Sequence, residues 1–96
     1  MAEELTENGT AGARMVTVVV SAPDDLPGYR AFFEPEGGER DMTPGDRLTI
    51  TMTGTGPMVI EVYAYDGGLV LWRPPDIPFD NILVADKDGN RIDDIY

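Results

Sequence analysis

A chain of 96 residues with no cysteine, no histidine, one lysine (Lys87) and one serine (Ser21) lacks most side chains used for covalent or proton-transfer chemistry. Eighteen acidic residues against seven basic ones give a formal net charge of −11, which argues against a direct grip on a phosphate backbone, where cations must cluster. The length sets one domain with a single small core, and the absence of cysteine excludes a disulfide framework, a thiolate metal site and a thiol nucleophile.

The opening residues, "MAEELTENGTAGAR", are acidic and polar and lack the basic and apolar regions of a signal peptide. No apolar run approaches the ~20 residues of a transmembrane helix. The expectation is a soluble, cytoplasmic protein that does not engage a membrane. Residues 1–13 show no periodicity and read as a disordered acidic tail, with residues 14–96 forming one all-β domain.

From Met15 the pattern changes. "MVTVVVSA" is β-branched and ends at the turn-rich "PDDLPG", so it reads as a strand. "YRAFFE" is a second short strand. "PEGGERDMTPGDR" reads as a long connection, with Pro44 and Gly45 suited to the central positions of a type II turn. "LTITMT" alternates with period two, placing Leu48, Ile50 and Met52 on a buried face and three threonines on the other. "MVIEVYAY" and "LVLWR" form a hairpin across Asp66-Gly67-Gly68. The prolines of "RPPDIPFD" exclude it from a strand interior and make it an extended crossover between sheets. "NILVADKDGNRIDDIY" closes the chain as a hairpin across Lys87-Asp88-Gly89. No window carries a helical apolar stripe. The fold class is therefore all-β: a small, mainly antiparallel β-sandwich (Ig-like) or partly open barrel of about seven short strands.

The register of the Asp66-Gly67-Gly68 hairpin decides which side chains share a face. A three-residue loop sets Glu61 opposite Arg73 and Val62 opposite Trp72, giving an opposite-charge pair and an aromatic–β-branched pair. A two-residue Asp-Gly loop sets Glu61 against Trp72, and a Gly-Gly loop sets Val62 against Arg73. The charge pairing favours the three-residue loop. Trp72 then joins Ile60, Val62 and Val70 on the core face, while Tyr63, Tyr65, Leu69 and Leu71 form an apolar strip opposite. That strip is the candidate binding surface, because tyrosine tolerates half-burial with its hydroxyl in water. Coverage by loops is the rival explanation.

Other candidates are weaker. Asp86, Asp88 and Asn90 alternate as in the opening of a calcium loop, but Arg91 stands where a glycine is needed and the chain stops before a twelfth-position glutamate. Turn geometry explains these residues better, and no metal or other cofactor is expected. "RPPDIP" has the proline spacing of a polyproline II ligand, yet between strands it reads as a rigid connector. Carboxylate-pair hydrolysis needs a deep cleft that so short a sandwich does not provide. The reading by elimination is a non-enzymatic accessory module that binds another protein, a second copy of the chain being one candidate. The alternatives are an acidic nucleic-acid mimic that inhibits a basic protein, and a carbohydrate or Ca²⁺-assisted ligand module using Trp72 and the tyrosines.

Overall fold

The computed structural model describes residues 13–75, 77, 81–93 and 95. Seven strands lie among them: β1 (Ala13–Ser21), β2 (Tyr29–Glu34), β3 (Gly38–Met42), β4 (Arg47–Thr55), β5 (Glu61–Tyr65), β6 (Gly68–Trp72) and β7 (Ile82–Ala85). They form two sheets, a three-stranded one in the order β1-β4-β7 and a four-stranded one in the order β3-β2-β6-β5. All neighbours are antiparallel except β2 and β6, which run parallel. No α-helix occurs among the described residues, and no helix is long and apolar enough to cross a membrane.

The period-two residues of each sheet meet in one core. Val20, Leu48, Ile50, Met52, Ile82 and Val84 come from the three-stranded sheet. Ala31, Phe33, Met42 and Leu71 come from the four-stranded one, and Ile77 and Ile95 close the margins. The alternation of "LTITMT" is realised as expected, with Leu48, Ile50 and Met52 buried and the threonines turned outward. Tyr29 joins the layers at one end by donating its hydroxyl hydrogen to the Ser21 carbonyl, 2.7 Å away.

The structure keeps the sandwich and changes which segments build it. The expected connection after β2 contains β3, whose Glu39, Arg40 and Asp41 hide it from an apolar-pattern search. Its inward positions are Gly38, Arg40 and Met42, and of these only Met42 is an apolar residue fully buried in the core. The turn at Thr43–Asp46 matches its expected type, with Gly45 at φ 92° and the Asp46 amide donating to the Thr43 carbonyl at 2.9 Å. The segment after β6 does pass from one sheet to the other. Beyond β7 the chain turns at Asp86–Gly89, and among the described residues its return arm makes an isolated bridge, Ala85 with Arg91, rather than a strand. Residues 1–12 of the expected disordered tail fall outside the described residues, whereas Ala13, its last residue, already belongs to β1, which begins there rather than at Met15.

The hairpin register is the main correction. Glu61 pairs with Trp72, Val62 with Leu71, Tyr63 with Val70, Ala64 with Leu69 and Tyr65 with Gly68. The loop is therefore two residues, Asp66 and Gly67, both left-handed at φ 50° and 76°. Left-handed geometry at both central positions is the type I′ turn that Asp-Gly favours, and its twist matches the strands. The Glu61–Arg73 charge pairing expected of the longer loop does not form. Arg73 instead pairs with Glu36, which arrives from the turn after β2. Gly68 is a strand residue whose missing side chain permits close approach, since a Cβ there would strike the Arg30 carbonyl oxygen of β2.

Candidate functional site

The two-residue turn fixes the outer face of the four-stranded sheet. Because paired residues project to the same side, β2, β6 and β5 stack their outward residues in rows. One row is Glu34, Trp72 and Glu61, and the next is Phe32, Val70 and Tyr63. Tyr65 follows beside Gly68, and Glu39 and Asp41 extend the face onto β3 beside Phe32 and Arg30. Four aromatic rings thus collect on one surface. Phe32 and Tyr65 meet edge to face with ring centres 6.1 Å apart at 78°. The Trp72 indole N–H donates to the Tyr63 hydroxyl at 3.4 Å. Val70 is buried yet lies outside the inter-sheet core, shielded by the rings of its own row and of Trp72.

The binding strip expected from the sequence is therefore divided. Tyr63 and Tyr65 are on the outer face, 44% and 60% exposed. Leu69 and Leu71 point the other way, with Leu71 only 2% exposed and Leu69 packed against the core. Trp72, expected in the core with Val62 and Ile60, is 38% exposed and shares the tyrosine face. The physical reason is the one-residue change in loop length, which exchanges the faces of one strand relative to the other. Phe32, Glu34 and Glu61 were not singled out as site residues; choosing the Asp-Gly turn would have gathered Tyr63, Glu61 and Trp72.

Trp72 supplies a direct check. We expect its fluorescence to respond to a neutral quencher, and Trp72→Ala to cost about 1–2 kcal/mol, below the ~3–5 kcal/mol of a core tryptophan. A quencher-insensitive emission with a loss in the upper range would return Trp72 to the core.

The free margin of this sheet is β5. All five of its residues are exposed, and among the described residues it has one neighbouring strand. An edge strand presents unpaired backbone groups, and proteins guard such edges with charge or proline. The opposite edge, β3, carries three consecutive charged residues, whereas β5 reads Glu-Val-Tyr-Ala-Tyr. Beside it a cleft of about 270 Å³ is lined by Pro35, Val59, Glu61, Trp72, Arg73 and Pro75.

The electrostatics of the face are one-sided. Arg30 is its only cation among the described residues, and it is held by Asp41 at 2.9 Å and Glu39 at 3.2 Å. Arg73, at the cleft, is engaged by Glu36 and by the Ile77 carbonyl. Glu34 and Glu61 flank Trp72 within its row.

The calcium-like triplet is used differently. Asp86 Oδ1 accepts the backbone N–H groups of Asp88 and Asn90, both at 2.9 Å, which is turn chemistry. No group of three or more potential metal-binding side chains comes together among the described residues. The Asn90 amide, the larger cause, and the Asp88 amide hold the Asp86 carboxyl below the usual carboxylate range. The Thr43 amide, followed by its hydroxyl, does the same to Asp46. With the folded pKa below the unfolded one, the stabilisation is present above the ordinary value and is lost as pH falls through the depressed value. Carboxyl-carbon NMR titration is expected to place both midpoints below ~3.9, the unperturbed aspartate value. A midpoint above it at either residue would remove that turn's hydrogen bonds. No protein family, curated protein or solved structure compared with this chain matches it, so the site is read from its own geometry.

Proposed function

We propose that this chain is a non-enzymatic accessory module that binds another protein through the outer face of the β5–β6 hairpin. One observation carries the reading: an exposed aromatic cluster lies beside an unguarded edge strand on the same sheet. The largest contiguous apolar patch on a monomer's surface is often its contact site. Aromatic residues are also the side chains enriched where proteins meet. The composition supports a non-catalytic role, because carboxylates are the main reactive groups left and no group of three or more that could hold a metal ion comes together among the described residues.

The test is selection of peptides from a random displayed library on the wild-type protein. Binders are then compared on a Tyr63→Ser/Tyr65→Ser variant that retains the wild-type circular dichroism spectrum. The expected result is that most selected binders lose affinity for the variant. Binders indifferent to both substitutions would place the contact surface elsewhere.

A carbohydrate reading has one observation in its favour, the part-open indole of Trp72 between two carboxylates. Saturable binding of neutral oligosaccharides that is lost in Trp72→Ala would support it over the protein reading.

A further inference from the structure

We propose that the partner is an extended cationic segment that adds as a fifth strand to the β5 edge, setting alternate arginine or lysine side chains over the aromatic face. This rests on the binding role assigned to the β5–β6 hairpin and names the chemistry of what it binds.

The backbone argument comes from the register. In a two-residue hairpin the pair closing the turn, Tyr65 and Gly68, exchanges hydrogen bonds, and bonded pairs then alternate along the ladder. Tyr63 and Glu61 thus direct their N–H and C=O groups toward β6, and the intervening Val62 and Ala64 direct theirs to the open side. An extended chain can pair with those groups, the mode in which a peptide extends a sheet edge.

The side-chain argument comes from the rows. Alternate residues of an added strand would project beside Tyr65, Tyr63 and Glu61 on the outer face. The others would project beside Val62 and Ala64, both exposed. The outer positions adjoin aromatic faces and a carboxylate, a combination that attracts cations through ring quadrupole and charge together. A long side chain beside Glu61 would also approach Trp72, two strand spacings or about 9–10 Å from the added strand, with Glu34 beyond it. The face offers no competing free cation among the described residues, because Arg30 is already held by two carboxylates. Val62, 49% exposed, favours an apolar residue at the inward positions. The net charge of −11 adds a long-range attraction for a cationic segment and opposes approach of a second copy of this chain.

The probe is a blocked octapeptide alternating arginine with valine, titrated into the full chain by calorimetry and followed by amide NMR. Comparison peptides replace arginine with glutamate or serine, or carry N-methyl groups on alternate backbone amides. The arginine peptide is expected to bind, to protect the Val62 and Ala64 amides from exchange, and to weaken as salt rises. Glu34→Gln/Glu61→Gln should weaken binding about tenfold, in keeping with loss of exposed charge-assisted contacts. Asp24→Asn/Asp25→Asn, which removes the same charge from an exposed loop, should change it little. Equal loss in both double variants would reduce the effect to net charge and overturn the proposal. Undiminished binding of the N-methylated peptide would overturn strand addition. Equal binding of the serine peptide, sensitive to Tyr63→Ser/Tyr65→Ser, would overturn the cationic partner and leave the binding face standing. A dimer that the arginine peptide does not dissociate would assign the edge to a second copy. No binding of any peptide, with library binders still using the tyrosines, would overturn this proposal alone.

Discussion

Leu71→Ala is expected to lower stability by ~2–5 kcal/mol, the range for truncating a buried leucine. Tyr65→Ala, six positions earlier in the same hairpin, is expected to cost about 1 kcal/mol, chiefly its edge contact with Phe32. The contrast follows from the two-residue turn. It sends Leu71 inward, beside Phe33 of β2 and Val62 of β5, and leaves Tyr65 on the outer sheet face. A domain of this size holds on the order of 5–15 kcal/mol of net stability, so the leucine variant is conspicuously weakened. Urea denaturation monitored by circular dichroism measures both, as a shift in midpoint at constant slope. Losses of similar size for the two variants would mean that both side chains share one environment, which only the three-residue loop allows.

The parts of the fold readable from the sequence are those where one local signal suffices. "LTITMT" alternates because β4 is central, buried on one side and solvated on the other. Pro44-Gly45 specifies its turn by the φ values the two residues accept. The prolines after Trp72 exclude a strand interior whatever surrounds them. The parts that are not legible belong to residues whose partners are distant. Local charge pairing joins Arg73 to its hairpin neighbour Glu61, whereas its carboxylate comes from Glu36, 37 residues away. That single assignment inverted the faces and moved Trp72 into the core. β3 is not legible because an edge strand dominated by charge lacks the apolar alternation that identifies a strand. Of the site, the tyrosines were legible as candidates, since aromatic residues concentrated in a short hairpin ask for a role. Phe32 and Glu34 were not, because their place beside β6 depends on a parallel pairing across 38 residues. The sequence contained a better local cue than the charges: Asp-Gly between two apolar runs is the strongest short hairpin signal.

Breaking the Arg73–Glu36 pair is expected to be the costliest polar change in the described structure. Both side chains are largely withdrawn from water, 11% and 17% exposed. Arg73 Nε lies 2.9 Å and 3.1 Å from the two Glu36 carboxylate oxygens, and Nη1 donates to the Ile77 carbonyl at 2.6 Å and the Pro74 carbonyl at 3.2 Å. The Arg73 amide also donates to the Glu34 carbonyl at 3.1 Å. One residue thus ties the end of β6, the turn after β2 and the start of the crossover to β7. Glu36→Ala strips a desolvated guanidinium of its two-oxygen carboxylate contact, for which a loss near 3 kcal/mol is expected, the low end for a buried pair given the residual exposure. Arg73→Met/Glu36→Leu removes both charges and keeps the volume, so it should recover most of that loss. Added salt should change neither result much, because screening acts weakly on buried charges. The loss also has a functional side. Pro35, Arg73 and Pro75 line the cleft beside Trp72, so releasing the clamp should raise exchange of the Arg73 and Ile77 amides and blur that edge of the aromatic face. A loss in Glu36→Ala below about 1 kcal/mol, as for an exposed pair, would show that the buried Ile77 anchors the crossover without the arginine.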